Sequence, residues 1–201
     1  TIVKTVAGAV SVPVTVKTRL GWDDHDINII DFAQRLQDAG AQMLTLHART
    51  RAQGYNGSAQ WEWIGRVKQA LSIPVIANGD IFSVDAAIAC LAQTGADGVM
   101  CSRGSLGYPF LVGEIEHYFQ TGEKRPAPTV AERLTCAQEH LRALWDYKGQ
   151  RGLYQARKHL AWYCQDFPGA AALREQLSRV ESVAAGLALL DQGIEADLAL
   201  G

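Results

Sequence analysis

Apolar residues in the first 120 positions come in short blocks that switch between two periodicities. Residues 12–16, Val-Pro-Val-Thr-Val, are short and β-branched, the pattern of a buried strand. Within residues 27–39, Ile29, Phe32, Ala33 and Leu36 recur at helical spacing, and Gly40 follows as a stop. Residues 43–46 predict a second strand, and residues 61–71 a helix with Ile64, Val67, Lys68 and Leu71 on related faces. Residues 74–77 predict a third strand. Ser83 is placed to cap a helix running to Thr94, with Asp85 favourable at its positive end and Gly95 as its stop. A fourth strand is predicted at 98–101 and a helix at 110–119.

This half repeats itself. Ser11-Val12-Pro13-Val14 is echoed by Ser72-Ile73-Pro74-Val75, and Gly40-Ala41 by Gly95-Ala96. Strand and helix in regular alternation give a parallel sheet with right-handed crossovers. Four such units make half of a (β/α)8 barrel, assigned to residues 1–120. Residues 121–129 carry Gly122, Pro126 and Pro128 and read as a linker. From 130 to 201 there is no strand pattern. Leu134, Ala137, Leu141 and Leu144 share one helix face, Tyr154, Lys158 and Trp162 another. This part is expected to be a small helical bundle.

The strands end in polar groups: Lys17 and Arg19; His47 and Arg49; Asn78, Gly79 and Asp80; Ser102, Arg103 and Gly104. Parallel barrels place their sites at this edge. One such residue could be a satisfied core group, but four strands ending this way favour a site. Gly79 and Gly104 permit close backbone approach, and the Ser102-Arg103-Gly104 turn precedes a predicted helix whose N–H groups attract phosphate. The spacing points to a phosphate-bearing ligand without naming it.

Composition changes the picture in three ways. The hydrophobic fraction of 48% is enough for a core. Cys90, Cys101, Cys136 and Cys164 form no C-x-x-C pair, so buried free thiols in a reducing compartment are expected and no metal site. The net charge of -2 hides a basic middle: residues 124–179 hold 10 Lys+Arg against 5 Asp+Glu. That block suits a polyanion, although charge alone favours an ordinary solvated helical surface. No apolar run reaches the roughly 18 residues a membrane span needs. The start has no signal-peptide pattern, and the absence of an initiator Met points to a fragment or a processed chain.

Val14-Thr15-Val16-Lys17-Thr18-Arg19-x-Gly21-Trp22, Leu46-His47-Ala48-Arg49-Thr50-Arg51, Ile76-Ala77-Asn78-Gly79-Asp80-Ile81 and Thr94-Gly95-Ala96-Asp97-Gly98-Val99-Met100, with the Arg103-Gly104 turn, resemble the bacterial tRNA-dihydrouridine synthases. The stretch Ala156-Arg157-Lys158-His159-Leu160-Ala161-Trp162-Tyr163 resembles the helical domain of their B-type (NifR-like) subgroup. The resemblance covers nearly the whole chain. It implies the C-terminal half of an FMN-binding TIM barrel followed by a tRNA-binding helical domain. It also implies FMN as cofactor, NADPH as its reductant, tRNA as substrate, and a cytoplasmic enzyme reducing uridine to 5,6-dihydrouridine. By the resemblance Lys17 contacts the isoalloxazine ring, His47 lies beside it, and Asn78, Gly79, Asp80, Ser102 and Arg103 hold the ribityl phosphate. Ser102 stands where the family usually has Gly.

The family's proton-donating cysteine lies in an Asn-x-Gly-Cys-Pro context, and no such motif occurs here. No catalytic residue is therefore assigned in this chain, and alone it is expected to be inactive. Arg49, Arg51, Arg157 and Lys158 are the RNA-binding candidates, Arg49 and Arg51 being equally readable as a solvated loop pair. The three Asp at 23, 24 and 26 read as a helix start, and His25, His117 and His140 as surface residues. Two other readings stay open: a non-catalytic tRNA-binding module, and a phosphate-binding barrel enzyme of metabolism, against which the basic aromatic tail argues. An open half-barrel is also expected to self-associate or aggregate through its edges.

Overall fold

A computed structural model describes residues 1–199 of the chain, so the last two residues of the predicted helical domain lie outside the described residues. By contact the chain divides into two compact units, Thr1–Gly104 and the residues from Ser105 onward. The division falls earlier than the 121–129 linker and groups the helix at Phe110–Thr121 with the helical unit.

The first unit holds four parallel strands, β1 (Thr15–Arg19), β2 (Met43–His47), β3 (Val75–Asn78) and β4 (Gly98–Met100), in the order β1-β2-β3-β4. Helices α2 (Ile29–Asp38), α3 (Trp61–Ala70) and α4 (Val84–Thr94) form the crossovers. Strands added in sequence order on one side follow a barrel's winding, whereas a doubly wound sheet reverses at a switch point. The unit has the architecture of half a (β/α)8 barrel. The sequence repeat has a physical counterpart. Gln42 N–H donates to Val14 O at 2.8 Å, and Asp97 N–H donates to Val75 O at 2.9 Å, so the same bond opens the second strand of each repeat.

Because pairing is in register, residues at one level of a parallel sheet share a face. Leu44, Leu46, Val75 and Ala77 are buried, as are Ile29, Ala33 and Leu36 of α2, Ile64 and Val67 of α3, and Val84, Ala87 and Cys90 of α4. This is the core. The opposite parity, Lys17 and Arg19, Thr45 and His47, Ile76 and Asn78, forms the other face. Helix α4 is bounded as its sequence dictates. Ser83 Oγ accepts from Ala86 N–H at 3.0 Å, and Gly95 stops the helix at φ 63°.

Three local expectations change. The first strand begins at Thr15 rather than Val12 and runs through Arg19, because Val12 lies exposed and Thr15 is the first residue in register with β2. Helix α1 (Ile2–Ala9) was not foreseen: Ile2, Val3 and Val6 are β-branched, which disfavours helix, and none of its residues is buried. Asp23 does not start a helix; its Oδ1 accepts from the N–H groups of His25 and Asp26 in a loop turn, and α2 begins only at Ile29.

The second unit contains α5 (Phe110–Thr121), α6 (Val130–Lys148), α7 (Gln150–Tyr163), α8 (Ala170–Leu177) and α9 (Val183–Leu198). A reciprocal capping box between Thr129 and Glu132 opens α6. Leu134, Leu141, Leu153, Leu160, Leu177 and Leu190 form a fully buried core. His140, expected at the surface, is half-buried: Tyr163 Oη lies 3.3 Å from its Nδ1, and the His159 ring lies 4.8 Å away.

Glycines set the closeness of the α6–α7 hairpin. A Cβ at Gly152 would stand 1.9 Å from the Leu144 carbonyl oxygen, whereas one at Gly186 would meet only the Leu141 Cδ2 at 2.8 Å. Backbone cannot yield as a side-chain tip can. Gly152→Ala is expected to cost about 3 kcal/mol or more and Gly186→Ala about 1 kcal/mol. Thermal or urea unfolding of the two variants measures this, and equal losses would contradict it.

Candidate functional site at the sheet edge

The C-terminal edge of the sheet gathers the predicted residues into one cavity of about 110 Å³. Its floor is a single level of the sheet: Arg19 pairs with His47, His47 with Asn78, and Asn78 with Met100. All four line the cavity, with Lys17, Arg49, Gly79, Asp80, Ser102 and Arg103 around them. Four cations therefore face one carboxylate. That excess is the electrostatic signature of an anion site. The volume is well below the roughly 300–1,000 Å³ that encloses a whole ligand. It matches the charged end of one.

The side chains are tied to one another. Asn78 Nδ2 donates to Met100 O at 2.8 Å and to Ser102 Oγ at 3.2 Å, fixing the turn after β4 to the end of β3. Gly79 is required by its neighbours. At φ 125°, a Cβ there would meet the Ala59 methyl at 2.8 Å and His47 Cδ2 at 3.3 Å. Trp61 Nε1 donates to the Gly79 carbonyl at 2.9 Å. Arg19 Nη1 donates to Thr50 O and Gly54 O at 2.7 and 2.9 Å. The helix expected at 110–119 is α5, starting at Phe110, and a 3-10 turn, Arg103–Ser105, comes before it. Positive charge at this edge comes from the side chains of Lys17, Arg19, Arg49 and Arg103.

Arg49 is placed differently from the reading as an RNA contact. It is 1% exposed. Its Nη2 donates to both Asp80 oxygens at 2.8 and 2.7 Å and to Gly57 O at 2.6 Å, and its Nε to Asn56 O at 3.3 Å. A guanidinium committed in this way holds the loop after β2 and does not reach a polyanion outside. Arg51 is exposed in the same loop. Tyr55, also exposed, lies beneath two cations, with the Arg103 guanidinium 4.8 Å and the Arg19 guanidinium 5.6 Å from its ring centre. Phe82 was not singled out in the sequence, yet Arg103 lies 5.3 Å from its ring too. An aromatic residue right after the Asn-Gly-Asp-Ile segment was the only available signal.

Electrostatics follow from this crowding. Burial, then the Arg19 charge, lowers the pKa of the Lys17 ammonium. Burial, followed by Arg19, Lys17, Arg49 and Arg103, lowers His47 to about 4, so its imidazole is neutral at pH 7. For Asp80 burial acts upward, but the Ala59 N–H and Arg49, with Arg103 beyond, outweigh it and hold the carboxyl below its usual range. Among the cysteines, burial pushes Cys90 and Cys164 up to about 11 and raises Cys101, which does not line the cavity. No group of three or more ligating side chains among the described residues could hold a metal ion.

In the helical unit Arg157 and Lys158 diverge. Arg157 Nε donates to Val180 O at 2.8 Å and its guanidinium covers Tyr154, while exposed Lys158 lies with Nζ 4.9 Å from the Trp162 ring centre. No helix among the described residues is long and apolar enough to cross a membrane.

The family model for dihydrouridine synthases matches residues 1–198. The chain belongs to the dihydrouridine synthase family. It is 82% identical over 193 residues to a probable tRNA-dihydrouridine synthase 1 of Synechocystis, covering 96% of this chain and 54% of that protein. It is 47% identical over 167 residues to a probable tRNA-dihydrouridine synthase of Rickettsia conorii, covering 83% and 50%. It is 44% identical over 185 residues to tRNA-dihydrouridine synthase B of Pseudomonas putida, covering 92% and 55%. The chain thus spans about half the length of the curated relatives it matches. A mandelate oxidase structure aligns with 92% of the chain and 65% of its own at 19% identity and TM-score 0.42, too remote a likeness to inform function.

The His47 shift has a pH consequence. In the unfolded chain the imidazole titrates near 6.5, and in the folded chain near 4. Unfolded chains therefore bind the proton first, and stability is lost as pH falls from about 6.5 to about 4. In His47→Gln that part of the loss is expected to disappear, so its unfolding free energy should decline less steeply over this window than wild type. Parallel curves in urea titrations at several pH values would refute the neutral, buried imidazole.

Proposed function

We propose that this chain forms the phosphate-holding edge of the flavin site, and the tRNA-gripping helical part, of a tRNA-dihydrouridine synthase. What carries the reading is the cavity in which Lys17, Arg19, Arg49 and Arg103 outnumber Asp80 at the C-terminal edge of a parallel sheet, in a member of the dihydrouridine synthase family. Relatives named as tRNA-dihydrouridine synthases support the same substrate. The residues present fit FMN: Ser102 and Arg103 would hold the phosphate, with the backbone around Gly79 alongside. Asn78 would keep the Ser102 turn in place. Lys17, its ammonium destabilised by burial and Arg19, would sit at the polar edge of the ring, and neutral His47 beside it. Asp80, whose carboxylate already accepts from Arg49, Ala59 and Arg103, would act from behind Arg103. When bound, FMN reduced by NADPH supplies hydride to the uracil ring.

No cysteine of this chain lines the cavity, and none is assigned the proton for the second uracil carbon. The target base must leave its stack to reach such a site. Residues 124–179, with an excess of five basic residues over acidic ones by 10 against 5, would hold the tRNA backbone. Exposed Arg51 and Lys158 are better placed for this than Arg49 or Arg157. The sheet edges β1 and β4 carry no further strand among the described residues; they would be completed by more of the barrel or by a second copy.

Flavin fluorescence quenching of the purified chain tests the first part. FMN should bind, and Arg103→Ala should weaken it by about ten- to a hundredfold, the loss expected of a charged hydrogen bond. Lys17→Ala should weaken it less. Unchanged affinity in both variants would remove the site from this edge. For the helical part, the affinity for unmodified tRNA should fall steeply between 50 and 200 mM salt. Lys158→Ala should reduce the slope of log K against log salt by about one, and an unaltered slope would take Lys158 out of the contact.

A further inference from the structure

The loop between β2 and α3, residues 48–60, is fastened by backbone hydrogen bonds, among them Arg51 N–H to Gly21 O at 2.9 Å and Ala52 N–H to Trp22 O at 2.8 Å, and by cations. Arg19 donates to the Thr50 and Gly54 carbonyls, Arg49 to those of Asn56 and Gly57, and Arg103 lies over Tyr55. One carboxylate joins two of these cations. Asp80 accepts from Arg49 on both oxygens, from Ala59 N–H at 2.7 Å, and from Arg103 Nη2 at 3.1 Å. It reaches this position at φ 58°, left-handed backbone that a residue with a Cβ seldom adopts. Both of its oxygens are thus engaged by protein donors, and as an anion itself it would act on a phosphate only through those cations. Arg103 differs. It donates through Nη2 to Asp80 Oδ1, and its side chain is 39% exposed on the cavity wall.

We propose that Asp80 is a positioning residue: it aims the Arg103 guanidinium at the ligand's phosphate and, through Arg49 and Ala59, links capture of that anion to closure of the loop over residues 50–60. The inference rests on the reading of this edge as a phosphate-bearing flavin site. The link is thermodynamic. A phosphate binds best to Arg103 held between Asp80, Tyr55 and Phe82, and Tyr55 takes its place there only while the loop is closed. Binding therefore stabilises the closed loop, and loosening the loop weakens binding.

The test compares FMN with riboflavin, which lacks the phosphate, on the full chain. In Asp80→Asn, FMN affinity should fall about ten- to a hundredfold, while riboflavin affinity changes about twofold or less. Arg103→Ala should give the same selective loss, and the double variant no more than Arg103→Ala alone. Equal losses for both flavins, or additive losses in the double variant, would overturn the positioning role. Asp80→Glu guards against misfolding, because it keeps a counter-charge for buried Arg49 while displacing the carboxylate; it should show the same selective FMN loss, and wild-type selectivity would count against the proposal. The loop gives a readout independent of flavin. Inorganic phosphate should slow tryptic cleavage after exposed Arg51 in wild type but not in Asp80→Asn or Asp80→Glu, and equal protection in all three would also overturn it. A wild-type chain with neither FMN preference nor phosphate protection would sink the flavin-site reading itself. Wild-type preference with non-selective variants would sink only the role of Asp80.

Discussion

A guanidinium almost wholly removed from water must have its charge matched, and the pairing of Arg49 with Asp80 meets that requirement at the sheet edge. Without Asp80, Arg49 would be a buried charge without a counter-ion, one of the more damaging things a fold can contain. With it, the end of β2, the following loop and the end of β3 become one rigid piece. The pair also uses up one positive charge. What the cavity presents to a ligand is therefore Lys17, Arg19 and Arg103, and the neutrality of His47 reflects its burial first and then the field of those cations together with Arg49.

Much of the first unit could be read from periodicity. Ser83 and Gly95 bound α4 as capping chemistry requires, and the apolar stripe of Ile29, Ala33 and Leu36 faces the core as its spacing demands. The alignment of polar strand ends was legible too, because a parallel sheet in register turns equivalent sequence positions into neighbours. Helix α1 was not read: its β-branched Ile2, Val3 and Val6 argue against helix, and none of its residues is buried. Strand β1 was displaced because Pro13 and Val12 resemble a strand by composition, while pairing with Met43 decides where the strand begins.

At the site, residue types were easier to read than their commitments. Arg49 and Arg51 are two residues apart in one basic segment, yet one is sealed against Asp80 and the other faces water. Nothing local in the sequence separates them. The difference comes from the carbonyls of Asn56 and Gly57, which the loop folds back to the first arginine. Arg157 and Lys158 part for a similar reason: a helix turns adjacent residues about 100° apart, and the Val180 carbonyl waits on one side only.

The cavity floor also says something about how such a site changes over time. Arg19, His47, Asn78 and Met100 each come from a different strand at the same level. Neighbouring strands lie roughly 4.8 Å apart, so each strand delivers one side chain to the floor at a fixed interval. The backbone fixes these positions, while Asn78 and Arg19 also tie the floor to Ser102 and to the loop after β2. A single substitution on this floor changes one side chain at a fixed place, whereas inserting one residue in a strand would turn its whole set of side chains to the opposite face. Variation in this edge is therefore expected to come as changes of residue within strands, with insertions confined to the loops beyond them.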